Sequence, residues 1–557
     1  TYSLALPAVP QGTMVDVDSD GEEDSGVQVF AVAYWSNTWG GPFLEGREGR
    51  GWSTAYTSVL VDAERNYEFE GGVLIVWAPD DQQAFPVGFG EDNMLFTADD
   101  PTEPIPAGYN IVDMNGEPFR IYKEAEPAIT LYEGESEVND YSEMDYVDAF
   151  DALWGKVSAE YPFTADKGID WNALYDEFAP RVASARNDND FYRAIRDFTW
   201  AIPDGHVGVS FNTDVFFEDA GGGLGLHLAE LSDGRVIVTR VYPGLPADKA
   251  GIEVGAEIIE WDGQSVSNAI DAVVPYFGPY STEHHKRVEQ VYFLTRSAPG
   301  TRVEVTLRDP GDRERTVTMR TELETESLLD ANPGWMLDPF APPIEARTLE
   351  DSGLAYVQIT TFSVDDSLQA RLWEDVIDAL LENDIPGLII DMRVNFGGNG
   401  GLANNFASFF FDREVTVSQR YHYSDLTGEL EPDPLPAVLE PAPKYYDGYI
   451  AVLVSPYCVS ACEGFSYAVS LSERAIVVGH TPSAGAYGDV GAGQFKLPGE
   501  YDMQFPTGRP ETPDGELLIE GTGVIPDILV PVTEQSALGE VDAVLEAAVE
   551  ALLGMIR

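Results

Sequence analysis

The stretch Ser455-Pro-Tyr-Cys-Val-Ser-Ala-Cys-Glu463 decides how the C-terminal part of this chain is organised. The apolar, β-branched run Tyr449–Val454 precedes it and predicts a buried strand. The residues that follow, to about Leu471, have one apolar face at helical spacing. Ser460 would then lie where a strand turns sharply into a helix, and free N–H groups at a helix N-terminus favour developing negative charge. This pattern makes Ser460 a candidate nucleophile.

Both cysteines of the chain, Cys458 and Cys462, flank this serine. Two interpretations stay open: the pair are small buried thiols, or they form a short disulfide that stiffens the turn. Two cysteines cannot form a disulfide framework, so they do not indicate a cellular compartment.

Composition and charge limit the class of protein. A chain of 557 residues is too long for one core, which predicts several domains. The 32 Lys and Arg residues against 96 Asp and Glu residues give a net charge of −64, which would repel nucleic acid and anionic membrane surfaces. No apolar run approaches the roughly 20 residues of a membrane span. The chain starts at Thr1 without an apolar signal segment, so we expect a mature, secreted protein, extracellular or in the cell envelope.

Residues 1–137 are predicted to form an acidic, β-sandwich-like domain, because short strand-like runs alternate there with Gly, Pro and Asp loops. One loop places carboxylates at alternate positions before a turn glycine, as Ca²⁺ loops do, and makes a candidate calcium site of Asp16, Asp18, Asp20 and Asp24. Val27 stands where an EF-hand has its bidentate Glu, so the loop is not an EF-hand. Glu91–Asp100 is a second acidic candidate.

Residues 138–212 are predicted to be a helical cap domain. Apolar side chains recur at helical spacing in three stretches, which begin near Tyr146, Trp171 and Phe191. The last helix leads into the turn Pro203-Asp-Gly-His206, followed by a short strand-like run.

Residues 213–320 resemble a PDZ domain. Three elements occur in the order typical of that domain: Gly221-Gly-Gly-Leu-Gly-Leu226, the short helix around Pro246–Gly251, and the hairpin Gly255–Gln264. The resemblance implies a loop whose backbone N–H groups receive the terminal carboxylate of a peptide. That loop consists of Gly223, Leu224, Gly225 and Leu226.

Residues 321–557 alternate between predicted strands and helices, which indicates a largely parallel α/β core. The turn Asp391-Met-Arg-Val-Asn-Phe-Gly-Gly-Asn-Gly-Gly401 follows one buried strand, and its glycines let backbone N–H groups approach a substrate carbonyl. The turn lacks the Gly-Lys-Ser/Thr ending of a P-loop. A third motif, Gly521-Thr-Gly-Val-Ile-Pro-Asp527, is preceded by Glu520.

Taken together, these motifs resemble the C-terminal processing peptidases, or tail-specific proteases, and particularly their tricorn-core branch, over about residues 138–557. The resemblance implies a multidomain α/β protein: an N-terminal all-β domain, a helical bundle, a PDZ domain and a crotonase/ClpP-like α/β protease core. It places the nucleophile at Ser460 and the oxyanion donors on the backbone of Ala461 and of Gly397 or Gly398.

One departure from the family decides the expected mechanism. The processing peptidases carry a lysine base in a stretch that corresponds here to Gly479–Gly488, which contains no lysine. Lys496 lies further along and is expected at the surface. The tricorn-like branch instead uses a histidine, which implies His206 as general base and Glu520 as its indirect support. Tricorn links these two through a serine beside the histidine; Gly205 stands there, so the link stays open.

The sequence therefore predicts a secreted serine endopeptidase that cleaves unstructured peptides or proteins through a Ser-His acyl-enzyme, needs no cofactor for catalysis, and is compatible with a homo-oligomer. One alternative is a non-catalytic ligand- or peptide-binding protein on the same scaffold. Another is a structural component that interacts through its acidic β domain. His480 is a second candidate base, and His284-His285 are expected to be surface residues.

Overall fold

The computed structural model describes residues 5–10, 14–17, 26–34, 56–62, 68–133, 139–331, 341–424, 427–433, 436–490 and 493–556. The chain divides into two compact units. The first comprises Thr1–Glu143, Ser424–Thr427 and Gly491–Asp502, and the second comprises the remaining residues.

The first unit is built from short antiparallel strands. Its main sheet has the order β1-β5-β8-β9, with β4 also paired to β5. Alternate residues of β5, Leu74 and Val76, lie in the core of the unit with Phe85 of β6 and with Ile105, which follows β7. The strands are β1 (Gln28–Phe30), β2 (Ala33–Tyr34), β3 (Tyr56–Thr57), β4 (Val59–Asp62), β5 (Glu68–Ala78), β6 (Ala84–Pro86), β7 (Thr102–Pro104), β8 (Gly108–Asp113), β9 (Arg120–Tyr122), β10 (Tyr132–Glu133) and β11 (Asn139–Asp140).

This unit extends to Glu143 and includes a segment from the C-terminal part of the chain. The reason is a parallel strand pair, in which Asn139 lies opposite Phe495 and Asp140 opposite Lys496. A parallel partner cannot come from a tight hairpin, so a distant segment supplies it.

The second unit begins with the predicted helical bundle. Its elements are α1 (Tyr146–Glu160), α2 (Trp171–Ala183), α3 (Asp188–Trp200), β12 (Gly208–Val209) and α4 (Thr213–Ala220). Asp145, Asp170 and Asn187 cap the first three helices by accepting N–H groups of the first turn. Phe150 and Phe198 meet edge to face at 5.4 Å between ring centroids, so the apolar faces interlock as the spacing predicted.

The PDZ region follows, with a sheet in the order β14-β15-β16-β19-β20. Leu224 and Leu226 are fully buried in its core. Its elements are β13 (Gly222–Gly223), β14 (Leu226–Glu230), β15 (Val236–Val241), α5 (Pro246–Lys249), β16 (Glu257–Trp261), β17 (Gln264–Ser265), α6 (Val266–Asp271), α7 (Glu283–Phe293), β18 (Arg296–Ser297), β19 (Arg302–Arg308), β20 (Glu314–Arg320), β21 (Glu322–Leu323) and α8 (Glu326–Ala331).

The remaining elements follow in chain order; most belong to the α/β core, whereas the strand Gln494–Leu497 and the start of the strand Tyr501–Gln504 belong to the first unit. They are β22 (Ile344–Leu349), β23 (Leu354–Ile359), α9 (Asp366–Glu382), β24 (Gly387–Asp391), α10 (Gly400–Ser408), β25 (Val415–Ser424), β26 (Glu429–Pro432), β27 (Ala437–Leu439), β28 (Tyr449–Val454), α11 (Ala461–Ser470), β29 (Ala475–Gly479), β30 (Gln494–Leu497), β31 (Tyr501–Gln504), β32 (Gly508–Glu511), β33 (Ile528–Leu529), α12 (Glu534–Ala537) and α13 (Ala543–Ile556).

The core sheet has the order β22-β23-β24-β28-β29-β33, and every neighbour pair after β22–β23 is parallel. Strand β28 is buried on both faces: Ile450 and Val452 pack with the α9–α11 side, whereas Ala451 and Leu453 pack against α13. Burial on both faces explains why the predicted strand is a continuous apolar run. The sheet thereby holds the end of β28, and the residues that follow it, in the interior of the protein.

Candidate active site

Ser460 stands at a strained turn between β28 and α11. It is the N-cap of α11 with φ 59° and ψ −122°, a backbone conformation that non-glycine residues adopt rarely and mostly where function requires it. Its N–H lies 3.1 Å from the carbonyl oxygen of Ala486 and 3.1 Å from Oε2 of Glu463. The N–H of Glu463 donates to the Ser460 carbonyl at 2.8 Å. Among the described residues, no acceptor takes the hydroxyl hydrogen of Ser460, so the strained turn presents a hydroxyl whose proton is uncommitted.

Glu463, fully buried, holds this turn in place. Its carboxylate accepts hydrogen bonds from the Ser460 N–H, the Ser483 hydroxyl at 2.6 Å, and the N–H groups of Gly485 and Ala486 at 2.6 and 3.0 Å. Burial raises the pKa of Glu463 to about 8, and the hydrogen bond from Ser483 opposes that shift. Glu463 therefore ties the serine turn to the segment 483–486.

The Gly-rich turn packs directly on Ser460. A Cβ added to Gly397 would lie 2.8 Å from Cβ of Ser460, so only glycine fits there. The N–H of Gly397 donates to Oδ1 of Asn395 at 2.8 Å and is therefore not available as an oxyanion donor. Within the described part of the chain, the N–H groups of Gly398 and Ala461 have no acceptor. Of the oxyanion donors that the sequence predicted, these two N–H groups are the ones left without an acceptor among the described residues.

His206 lies buried in the turn before β12. Its N–H donates to Asp204 Oδ1 at 2.8 Å, and its carbonyl accepts the side chain of Gln504 at 3.1 Å. Its Nδ1 has no hydrogen-bond partner in the described structure. Burial lowers the pKa of His206 below the ordinary 6.5, against the opposing effect of the Asp204 and Asp489 carboxylates. The imidazole is therefore neutral near pH 7 and able to accept a proton.

The His206 turn and the Ser460 turn meet at Ala486. A Cβ on Gly205 would lie 2.9 Å from Cβ of Ala486, whose carbonyl accepts the Ser460 N–H. The two segments thus converge on the same residue, although among the described residues no hydrogen bond joins the His206 ring to the Ser460 hydroxyl. Catalytic hydrogen bonds often form only in the substrate complex.

Glu520 is nearly fully buried and bonds to the surroundings of His206 rather than to its ring. Oε1 accepts Nζ of Lys167 at 2.5 Å and the Ser281 hydroxyl at 2.8 Å, and Oε2 accepts the N–H groups of Tyr487 and Gly488 at 2.7 and 3.2 Å. Burial, together with the charge of Asp204, raises the pKa of Glu520 to about 7, and Lys167 opposes the shift.

Lys167, whose side chain is 9% exposed, is a lysine that sequence reasoning missed. Its Nζ lies 3.3 Å from Oδ2 of Asp204, forms the ion pair with Glu520, and donates to the Pro203 carbonyl at 2.7 Å. Two carboxylates and a carbonyl thus engage this amino group. Lys496, the lysine that the sequence analysis considered, pairs with Glu500 at 3.1 Å. No sequence signal marked Lys167, because its partners lie far along the chain.

The sulfur atoms of Cys458 and Cys462 are joined in a disulfide in this structure. Of the two interpretations left open by the sequence, the structure adopts the short bridge across the first residues of α11.

The other histidines have structural contacts. Nδ1 of His480 bonds the Val530 carbonyl at 2.7 Å, and Nε2 of His284 bonds the Ser483 carbonyl at 2.7 Å.

The expectation that His284 and His285 are surface residues is wrong. Both are partly buried, and the His285 ring packs against Tyr280 and Tyr457 at 4.7 and 5.9 Å between centroids. Both histidines lie in the first turn of α7. The contact between His285 and Tyr457 places this turn against the turn that carries Ser460, which partly shields the two rings from solvent.

One backbone N–H group of the PDZ loop, that of Leu226, is directed toward the edge of the sheet. The N–H of Leu224 donates to the Thr295 carbonyl at 3.3 Å, so it is engaged. The N–H of Tyr242 donates to the Gly225 carbonyl, which makes Leu226–Val241 a non-hydrogen-bonded pair. The N–H of Leu226 therefore points away from β15, toward the unpaired edge of β14.

The first candidate calcium site stays a prediction: of its four aspartates, Asp16 is among the described residues, whereas Asp18, Asp20 and Asp24 lie outside them. In the second loop, the Asp100 carboxylate accepts the N–H groups of Gly90, Phe96 and Thr97. Among the described residues, no three His, Cys, Asp or Glu side chains are grouped to hold a metal ion. Nor does this part of the chain contain a helix long and apolar enough to cross a membrane.

Comparison with known proteins assigns three regions of the chain. Residues 353–530 match peptidase family S41, residues 143–199 match the tricorn protease C1 domain, and residues 214–274 match the PDZ domain. Ser460 and Glu520 lie inside the S41 match, whereas His206 lies between the other two matches.

Known relatives and structures agree with this assignment. Carboxy-terminal processing protease CtpA of Bacillus subtilis (strain 168) is 23% identical over 327 residues, 58% of this chain and 58% of the relative, so the chain spans just over half of its length. A putative tricorn protease homolog 2 of Streptomyces coelicolor is 25% identical over 316 residues, 50% of this chain and 25% of the relative. The crystal structure of mature CPAF shares the fold, with a TM-score of 0.56 at 18% identity over 74% of this chain and 96% of that one.

The resemblance and the fold class predicted from the motifs are therefore confirmed. The chain thus combines a region that matches peptidase family S41 with regions that match the tricorn protease C1 domain and the PDZ domain.

Proposed function

We propose that this chain is a secreted serine endopeptidase that cleaves unstructured peptides or proteins through an acyl-enzyme. Ser460 is the nucleophile and His206 the general base. The observation that carries the proposal is the Ser460 turn: a positive φ, a hydroxyl whose proton is uncommitted, and the free N–H groups of Gly398 and Ala461 beside it. A ligand carrier on the same scaffold has no need for this arrangement. The net charge of −64 supports secretion.

The chemistry follows from the placement of these groups. His206 takes the Ser460 proton as the Oγ attacks the peptide carbonyl, and the N–H groups of Gly398 and Ala461 stabilise the oxyanion. The intermediate collapses to the acyl-enzyme as His206 returns the proton to the leaving amine. Water then attacks the ester with His206 again as base, which releases the acid product and restores the Ser460 hydroxyl.

Labelling by a serine-directed peptidyl phosphonate tests the proposal. We expect one covalent adduct on the peptide that contains Ser460, because only an activated serine displaces the phosphonate leaving group. The adduct is located by mass spectrometry of the digested protein, and heat-unfolded protein serves as the unreactive control. A folded chain that neither reacts at Ser460 nor cleaves an unstructured peptide library would instead support the non-catalytic carrier.

The PDZ region is proposed to receive the C-terminal end of the substrate. Its support is the Leu226 N–H, which faces the open edge of β14, and the packing of α7 beside that strand, where Arg287 bonds Glu230 at 2.6 and 2.7 Å. Deleting residues 213–320 would not test this role, because the deletion removes Ser281 and other residues that contact the active-site loops.

Peptides that end in a carboxylate or in an amide separate the PDZ role from catalysis. For a long peptide, we expect the free acid to have a KM roughly ten-fold lower than its amide, since a hydrogen bond to a charged group is worth about 1.5–3 kcal/mol. Steady-state hydrolysis measures the ratio, with peptides too short to reach the PDZ region as the control. Equal KM values for the long pair would contradict end recognition.

A further inference from the structure

We infer that Ser281 is a positioning residue that ties the Glu520 carboxylate to the turn carrying His206. The inference rests on the proposed function and deepens it. The Gly205 N–H donates to Oγ of Ser281 at 2.9 Å, and the Ser281 hydroxyl donates to Oε1 of Glu520 at 2.8 Å. One hydroxyl has one hydrogen to donate and lone pairs that accept, so both bonds form at once.

The neighbours of Ser281 hold it in place. Oγ1 of Thr282 donates to the Ala484 carbonyl at 2.9 Å, and Nε2 of His284 bonds the Ser483 carbonyl at 2.7 Å. These carbonyls belong to the segment 483–486, which Glu463 also binds and whose Ala486 accepts the Ser460 N–H. The start of α7 is thus docked on the same segment as the nucleophile, which leaves Ser281 little freedom to move.

The hydroxyl that bonds Glu520 cannot come from position 205, which is next to His206. A Cβ on Gly205 would lie 2.9 Å from Cβ of Ala486, closer than such atoms approach, so that position stays without a side chain. A distant serine supplies the hydroxyl instead, at a separation of 239 residues from Glu520.

The bridge has a definite consequence for the carboxylate. The Glu520 side chain is wholly inaccessible to solvent, so water cannot hydrogen-bond to its carboxylate. Its four hydrogen-bond donors are protein groups, and the loss of one is not made good by water. Removal of the Ser281 hydroxyl takes away one donor to Glu520 and the acceptor of the Gly205 N–H. The His206 turn then loses this connection to the carboxylate and keeps the one through Lys167, which contacts both the Pro203 carbonyl and Asp204.

Kinetics of Ser281 variants on a short peptide substrate test this role. We expect Ser281→Ala to lower kcat roughly 10- to 100-fold with KM changed less than about two-fold, because the residue orients the base and does not touch substrate. Ser281→Thr keeps the hydroxyl and is expected to restore most of kcat. Ser470→Ala is the matched control: its Oγ bonds only the Tyr467 carbonyl, at the far end of α11, and its kcat should equal that of the wild type.

Coupling to Glu520 is measured by a double-mutant cycle. In a Glu520→Gln background, Ser281→Ala is expected to cause no further loss of kcat, since the two act through one bridge. If Ser281→Ala does not fold, Ser281→Cys replaces it, because a thiol has nearly the same size and forms a weaker hydrogen bond. Three results with an active wild type would overturn the role of Ser281 alone. They are an unchanged kcat in these variants, a loss confined to KM, and fully additive losses in the cycle. An inactive wild type would overturn the proposed function itself.

Discussion

Replacement of Ser460 by alanine is expected to abolish peptide cleavage, with kcat reduced by about a million-fold. The size of the loss follows from the absence of any substitute nucleophile at the turn, since Cys458 and Cys462 are joined in a disulfide. The free N–H groups of Gly398 and Ala461 would remain, so the variant should still bind peptides. Hydrolysis of an internally quenched fluorescent peptide measures the loss.

The control for this prediction lies on the same helix. Ser470→Ala removes a serine hydroxyl from the opposite end of α11 and should retain full activity. Thermal unfolding should show that Ser460→Ala folds as the wild type does, because alanine keeps the Cβ and the backbone hydrogen bonds of this turn. Cleavage by Ser460→Ala at the wild-type rate would contradict the assignment of the nucleophile.

The acid limb of the pH–rate profile is expected to lie below pH 6.5 and to belong to His206. A general base works only when neutral, and burial lowers the pKa of His206 beneath its ordinary value. Activity should therefore persist as the pH falls toward and past 6.5, and should be lost as the pH falls through the lowered pKa. The profile of kcat/KM for the free enzyme reports this group.

Two variants assign that limb to the imidazole. His206→Gln is expected to reduce kcat roughly 10⁴- to 10⁶-fold, because the Ser460 proton loses its acceptor. Asp489→Asn removes a carboxylate that raises the pKa of His206, so its acid limb should move to still lower pH. Movement of the limb to higher pH, or a limb that survives in His206→Gln with normal kcat, would contradict the role of His206.

Much of the fold could be predicted from the sequence because it depends on local patterns. The run Tyr449–Val454 predicted β28, and the helical spacing around Tyr146 and Trp171 predicted α1 and α2, each within a few residues of the observed bounds. The boundary of the first unit could not be predicted, because β11 finds its parallel partner more than 300 residues further along the chain, near Phe495. Strand pairing between distant segments leaves no local signature.

For the candidate site, the sequence by itself determined the chemical groups: a serine at a strand-to-helix turn, glycines that allow close approach, and a histidine in a separate turn. Only the tertiary structure decided how these groups are held and which of them remain free. It committed the Gly397 N–H to Asn395, left that of Gly398 free, and placed Ser281 and Lys167 on Glu520. The physical reason is that a hydrogen bond depends on a distance of about 3 Å in space, whereas Ser281 and Lys167 are separated from Glu520 by 239 and 353 residues in sequence.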